Sequence, residues 1–115
     1  MINICVYGAG AIGGYLGCCL SKAGANVSLI ARGPHKEAIE KNGLTLISKT
    51  GSETFHLKVT ENPGELSTQD YIIIAVKAHA ITSIVKDLEP LLGEDTAVVS
   101  AVNGCLLYTS DAADE

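Results

Sequence analysis

Glycines and three polar side chains directly follow apolar runs of this sequence, and their types suit the binding of a phosphorylated ligand. The most specific pattern is GxGxxG, in the stretch GAGAIGG that begins at Gly8. Such glycines allow a tight turn and a close approach of the backbone to a pyrophosphate at a helix start. The pattern predicts a dinucleotide-binding turn with these pyrophosphate-binding residues: Gly8, Ala9, Gly10, Ala11, Ile12 and Gly13. The alternative is that the glycines serve only a close strand–helix junction.

Arg32 indicates which dinucleotide this turn would bind. It follows the second apolar run, at a point where an NAD-selective site usually offers an aspartate or glutamate to the ribose 2′-hydroxyl. Here the chain reads Ala31-Arg32-Gly33 and has no acid. A guanidinium suits the 2′-phosphate of NADP through charge-assisted hydrogen bonds. The sequence therefore predicts NADP as the cofactor, and a solvated arginine without a ligand is the alternative.

Lys77 and Asn103 each follow a later apolar run, YIIIAV and TAVVSAV. Ligands of open α/β sheets lie beyond the carboxyl ends of the strands. We therefore expect both side chains to line the cofactor cleft and to be the catalytic residues. Lys77 could meet the nicotinamide ribose, a phosphate or an anionic substrate, and Asn103 could hydrogen-bond a nicotinamide or a substrate oxygen. A strand-end lysine in solvent and an Asn-Gly turn are the alternatives. Neither His35 nor His56 has a partner that the sequence reveals.

The elements that would position these residues alternate along the chain. Strand patterns and helix patterns follow one another at residues 2–7 (strand), 11–23 (helix), 26–30 (strand), 33–41 (helix), 44–48 and 53–60 (antiparallel hairpin), 71–76 (strand), 78–92 (helix) and 96–102 (strand). This order predicts an α/β fold with a Rossmann-like, doubly wound and mostly parallel sheet. We expect 71–76 and 96–102 to be its third and fourth parallel strands, both buried, and the sheet to be truncated after them.

Composition limits the class of protein and its partners. A chain of 115 residues with 47% hydrophobic residues is long enough for one globular domain. It shows neither a signal peptide nor a run long enough to cross a membrane, so we expect a cytoplasmic protein without a membrane partner. A net charge of −5 argues against a nucleic-acid partner. No metal site is expected, because no CxxC or His/Cys ligand spacing involves the four cysteines: Cys5, Cys18, Cys19 and Cys105.

Residues 105–115, CLLYTSDAADE, differ in character from the rest of the chain. They resemble the translation of a sequencing-library adapter, and they lack the caps and apolar stripe of a further helix. We therefore expect a non-native tail at 105–115 and a dinucleotide-binding domain at 1–104.

Four motifs in this order resemble the N-terminal domain of the ketopantoate reductase (2-dehydropantoate 2-reductase) family: GAGAIGG, IARG ending at Gly33, AVK ending at Lys77, and Asn103-Gly104. The resemblance covers residues 1–104. It implies NADPH-dependent reduction of a small 2-oxoacid, 2-dehydropantoate, to pantoate, a step toward pantothenate and coenzyme A. It also implies that Lys77 lines the cofactor and substrate cleft and that Asn103 contacts both the nicotinamide ribose and the substrate.

The family's general acid, a lysine, lies in a C-terminal helical domain that this sequence does not contain. The chain is therefore expected to be a cofactor-binding fragment, inactive alone and of undetermined oligomeric state. Two alternatives remain. One is the N-terminal domain of another NAD(P)-dependent 2-oxoacid or opine-type dehydrogenase. The other is a non-catalytic NAD(P)-sensing module, which would not need polar groups such as Lys77 and Asn103 on the nicotinamide side.

Overall fold

A computed structural model of the protein describes residues 1–76, 84 and 86–101, and the structural statements that follow concern those residues. The strands and helices are β1 (Asn3–Tyr7), α1 (Ala11–Lys22), β2 (Asn26–Ile30), α2 (Gly33–Asn42), β3 (Leu44–Ser48), β4 (Gly51–Phe55), β5 (Lys58–Thr60), β6 (Tyr71–Ile74) and β7 (Ala97–Ser100). Short 3₁₀ helices span Pro63–Glu65 and Lys86–Leu91.

Five parallel strands form one sheet in the order β5-β2-β1-β6-β7, and β3 pairs with β4 in a separate antiparallel hairpin. Counted along the parallel strands alone, the order is third, second, first, fourth, fifth. This is the strand order of a Rossmann sheet, with the first strand at its centre. The predicted fold class is therefore confirmed.

The core lies on both faces of β1, whose Cys5 and Val6 are fully buried. Neighbouring residues of a strand point to opposite faces, so each face has its own apolar cluster. Small residues let α1 lie close to the sheet. A Cβ atom on Gly17 would come within 3.0 Å of Leu29 Cδ2. At the other end of α1, Lys22 forms a 3.3 Å ion pair with Glu53 of the hairpin.

The prediction of a single strand at 53–60 is wrong. The hairpin strand β4 begins at Gly51 and ends at Phe55, and the chain then enters the main sheet as β5, in register with β2 from Lys58 onward. Val59 and Thr60 become buried there, whereas residues 51–54 stay exposed. Because β5 takes the third place, the strands at Tyr71–Ile74 and Ala97–Ser100 are the fourth and fifth parallel strands, not the third and fourth.

Two expectations about the last third of the chain also need correction. The strand predicted as buried at 96–102 is β7, the outermost strand among the described residues, with Val98 and Val99 42% and 47% exposed. Most of the helix predicted at 78–92 lies outside the described residues. Its described end, Lys86–Leu91, is a 3₁₀ helix with Pro90 inside it. Leu88 and Leu91 are buried as predicted, and Leu92 is 44% exposed.

Candidate dinucleotide-binding site

Two glycines at the junction of β1 and α1, one in the turn and one in the first turn of the helix, are required by the fold itself. Gly8 has φ +107°, and a Cβ atom there would come within 2.8 Å of Val76 Cγ1. A Cβ atom on Gly13 would lie 1.9 Å from the carbonyl oxygen of Gly8. The backbone of the loop at Gly8 therefore packs directly against the backbone of α1 at Gly13, as the spacing of the glycines predicts.

Gly10 is different, because no described residue requires a glycine at this position. It is the N-cap residue of α1 with φ −73°, and a Cβ atom there would meet nothing within 4 Å. It provides no side-chain cap, and the first turn of α1 holds no acidic residue. The first N–H groups of α1 therefore have no side-chain cap, and they form the positive end of the helix dipole, which is the environment an anion prefers. The residues present fit a pyrophosphate.

β1, β2 and β5 all end at one edge of the sheet, the edge formed by the carboxyl ends of its strands. Backbone hydrogen bonds continue the pairing past the strand ends, from Gly8 N to Ile30 O (3.0 Å) and from Ala31 N to Thr60 O (3.1 Å). A cavity of about 450 Å³ opens at this edge, bounded by these residues: Tyr7, Gly8, Ala9, Ile30, Ala31, Arg32, His35, Val76 and Ile84. The cavity lies beyond the carboxyl ends of β1 and β2, where a Rossmann sheet binds its ligand.

Arg32 lines this cavity and a second one of about 440 Å³ beside it. It is the exposed N-cap residue of α2. The second cavity also contains Glu61, directly after β5, and Asp87 of the 3₁₀ helix. No acid follows β2 directly, but two acids from other elements line the cavity beside Arg32.

Asp87 is held by a buried tyrosine. The hydroxyl of Tyr7, which is 3% exposed, donates a 3.0 Å hydrogen bond to Asp87 Oδ2. Burial, together with this bond and the carboxylate charge, raises the pKa of Tyr7, and Arg32 lowers it in part. Tyr7 is therefore a neutral donor at ordinary pH, in the electrostatic range of both Asp87 and Arg32.

His35 connects α2 to the glycine turn. Its Nε2 lies 2.6 Å from the carbonyl oxygen of Ala9. A carbonyl oxygen only accepts, so Nε2 must carry the proton. The contact joins residues 26 positions apart, which is why the sequence shows no partner for His35.

The structure brings the predicted residues 8–13 and Arg32 to one edge of the sheet, and their roles in binding stay predictions. Lys77, Asn103 and the segment 105–115 lie outside the described residues. Sequence reasoning missed Tyr7, Glu61 and Asp87. Glu61 had a usable signal, since recognising Lys58–Thr60 as a separate parallel strand would have placed it at a carboxyl end.

Neither a metal site nor a membrane-spanning helix is found among the described residues. No three His, Cys, Asp or Glu side chains lie together there in a way that could hold a metal ion. No helix among residues 1–76, 84 and 86–101 is long and apolar enough to cross a bilayer.

The strand order, the glycine turn and the open helix start define a Rossmann domain of the dinucleotide-binding class. Comparison with known proteins narrows that class. The sequence model of the family described as ketopantoate reductase PanE/ApbA matches residues 4–111, so the chain belongs to the ketopantoate reductase family of NAD(P)-dependent oxidoreductases. The matched span enters the segment 105–115, whose expected foreign origin stays a prediction.

Individual proteins are similar to this chain in sequence and in structure. A 2-dehydropantoate 2-reductase from Mesorhizobium japonicum is 43% identical over 90% of this chain and 32% of its own length. A Ralstonia solanacearum protein assigned as a ketopantoate reductase is 40% identical, with a TM-score of 0.84 over 90% of this chain and 32% of that one. A D-mandelate dehydrogenase, solved with NADH and anilino(oxo)acetate, is 27% identical, with a TM-score of 0.81 over 98% of this chain and 36% of that one. This chain spans about a third of the length of the proteins it matches.

Proposed function

We propose that this chain binds NADPH as the cofactor domain of a reductase that converts 2-dehydropantoate to pantoate, on the route to pantothenate and coenzyme A. The observation that carries the proposal is Gly10. No described residue comes near a Cβ atom there, whereas a pyrophosphate at the start of α1 would need the close backbone approach that a glycine allows. The choice of substrate rests on family membership and on the 2-dehydropantoate 2-reductase of Mesorhizobium japonicum.

The described residues divide the binding of the cofactor between two ends. Backbone N–H groups of the glycine turn and the first turn of α1 would bind the pyrophosphate, and the Arg32 guanidinium would bind the 2′-phosphate. Lys77 and Asn103 would act at the nicotinamide end, as donors to the ribose and to the substrate oxygen that gains negative charge during hydride transfer. The cofactor would supply the hydride. The family match favours this role over a non-catalytic sensing module.

Gly10→Ala tests the binding site separately from the fold. The added methyl group would push back the pyrophosphate, lengthening hydrogen bonds to a charged group that contribute about 1.5–3 kcal/mol each. NADPH should bind roughly tenfold or more weakly, with little change in the urea midpoint. Titration by nicotinamide fluorescence suits this protein, because it has no tryptophan.

The matched control is Gly14→Ala, one turn further along α1. Its Cβ atom would contact Leu44 at 3.7 Å, an ordinary distance, and would point toward the hairpin. This variant should bind NADPH like the parent chain. Equal affinities for the parent and for Gly10→Ala would contradict the proposed pyrophosphate site.

Arg32→Ala tests the choice between the two dinucleotides. Removing the guanidinium should weaken the binding of NADPH and leave the binding of NADH nearly unchanged. Most of the preference for NADPH should therefore disappear. Lys41→Ala, which removes one positive charge from the last turn of the same helix, is the control and should keep the preference. If Arg32→Ala leaves the ratio of NADPH to NADH affinity unchanged, the argument from Arg32 is removed.

A further inference from the structure

We infer that Asp87 and Glu61 are specificity-determining residues that limit the preference of this site for a 2′-phosphate, so that NADH is accepted as well. The inference rests on the proposed dinucleotide site and concerns its adenosine end. Both carboxylates line the 440 Å³ cavity into which Arg32 projects, and they reach it from different elements.

The charges in this cavity favour a neutral ribose more than Arg32 alone would. One guanidinium faces two carboxylates, so the three side chains together carry a net charge of about −1 at neutral pH. A phosphate monoester adds about −1.5 to −2, whereas a ribose hydroxyl adds no charge. Repulsion from the carboxylates therefore weakens the binding of NADPH and has little effect on the binding of NADH.

Asp87 is fixed in place rather than free to turn away. Its Oδ2 accepts the hydrogen bond from the buried Tyr7 hydroxyl at 3.0 Å, and Tyr7 belongs to the central strand β1. A carboxylate has about four acceptor positions, so this bond leaves capacity for a ribose hydroxyl. Arg32 lines the same cavity as Asp87, and the two charges shift the pKa of Tyr7 in opposite directions.

Glu61 is held near Arg32 by the turn that follows β5. The backbone N–H of Asn62 donates to Thr60 Oγ1 at 3.1 Å, and Asn62 Oδ1 accepts from Gly64 N at 3.0 Å. These bonds fix the chain on both sides of the point where Glu61 leaves the sheet. β5 is also the hydrogen-bonded neighbour of β2, the strand that leads to Arg32.

The test compares the affinities for NADPH and NADH of the 115-residue chain and three variants, by isothermal titration. Asp87→Asn keeps an oxygen that can accept from Tyr7 and removes the charge, and Glu61→Gln removes the other charge. Glu89→Gln is the matched control, because Glu89 lies on the same 3₁₀ helix and does not line the cavity. Asp87→Asn and Glu61→Gln should each raise the ratio of NADPH to NADH affinity about three- to tenfold, and Glu89→Gln should leave it unchanged.

Ionic strength separates an electrostatic effect from a structural one. The rise in the ratio should be largest at low salt and shrink at high salt, since exposed charges are screened. If the parent binds dinucleotide and neither Asp87→Asn nor Glu61→Gln changes the ratio, the inference is overturned and the proposed function stands. If the parent binds neither NADPH nor NADH, both are overturned.

Discussion

Gly13→Ala should destabilise the chain strongly, although it adds one methyl group and improves helix propensity. The ideal Cβ atom would lie 1.9 Å from the Gly8 carbonyl oxygen, whereas contacts of real Cβ atoms essentially never fall below 3.0 Å. The helix would have to move by about 1 Å. Movement toward β6 is blocked, because the same atom would already lie 3.2 Å from Ala75 Cβ.

The expected cost follows from these contacts. Overpacking a close contact costs about 1–3 kcal/mol, and a clash of backbone with Cβ belongs at the upper end. The replacement of a helical glycine by alanine returns roughly 0.5–1 kcal/mol. We therefore expect the free energy of unfolding to fall by about 2 kcal/mol, which corresponds to a fall in Tm of about 8 °C for a domain of this size.

Gly14→Ala provides the opposite expectation at the next position. Its Cβ atom would sit at 3.7 Å from Leu44 and gain the helix propensity without a clash. This variant should be stabilised by roughly 0.5–1 kcal/mol. Urea denaturation followed by far-UV circular dichroism measures both. If Gly13→Ala unfolds at the parent's urea midpoint, the close contact between the glycine turn and α1 is wrong.

Three further predictions concern other parts of the chain. Burial raises the pKa of the Cys5 thiol from 9.0 to about 12, so the thiol ionises more readily in the unfolded chain. The contribution of the buried thiol to the free energy of unfolding should be complete below pH 9 and should fall by up to about 1.4 kcal/mol per pH unit as the pH rises toward 12. Urea titrations of Cys5→Ala should show a smaller fall over the same pH range. His35→Leu should weaken NADPH binding about three- to tenfold, because the hydrogen bond to Ala9 is lost. His35→Gln retains a donor and should restore most of the affinity. Identical NADPH affinities for the parent and both variants would exclude a positioning role. Deletion of residues 105–115 should leave the urea midpoint and the NADPH affinity unchanged, and a clear fall in either would show that the segment belongs to the fold.

The sequence predicted best where a pattern is local. The strand at Asn26–Ile30 has the predicted bounds, and α1 begins at Ala11 as the glycine pattern requires. Both depend on residues next to each other in the chain, such as an apolar run that ends at a turn. The predicted alternation of strands and helices was enough to fix the fold class.

The failures came from features that only the assembled sheet decides. The strand β5 has three residues, too few for a period, and its Val59 continues an alternation that begins at Phe55 in the hairpin. The apolar residues Val98 and Val99 indicate a strand and do not reveal that it is the outermost one described. The hydrogen bond from Tyr7 to Asp87 joins positions 80 residues apart, beyond the reach of any local pattern.

The unequal demands on the three glycines have a consequence for how related sequences diverge. Gly8 and Gly13 are held by the folding of the domain, so a lineage must retain them for as long as it retains this turn. No described residue lies within 4 Å of a Cβ atom at Gly10, so under the proposed function it is the ligand that would keep a glycine there. A descendant that no longer bound a dinucleotide could replace Gly10 without loss of the fold. Its sequence would keep Gly8 and Gly13 and would have another residue between them. Loss of the middle glycine alone is therefore the mark by which an inactive descendant of this fold would be recognised.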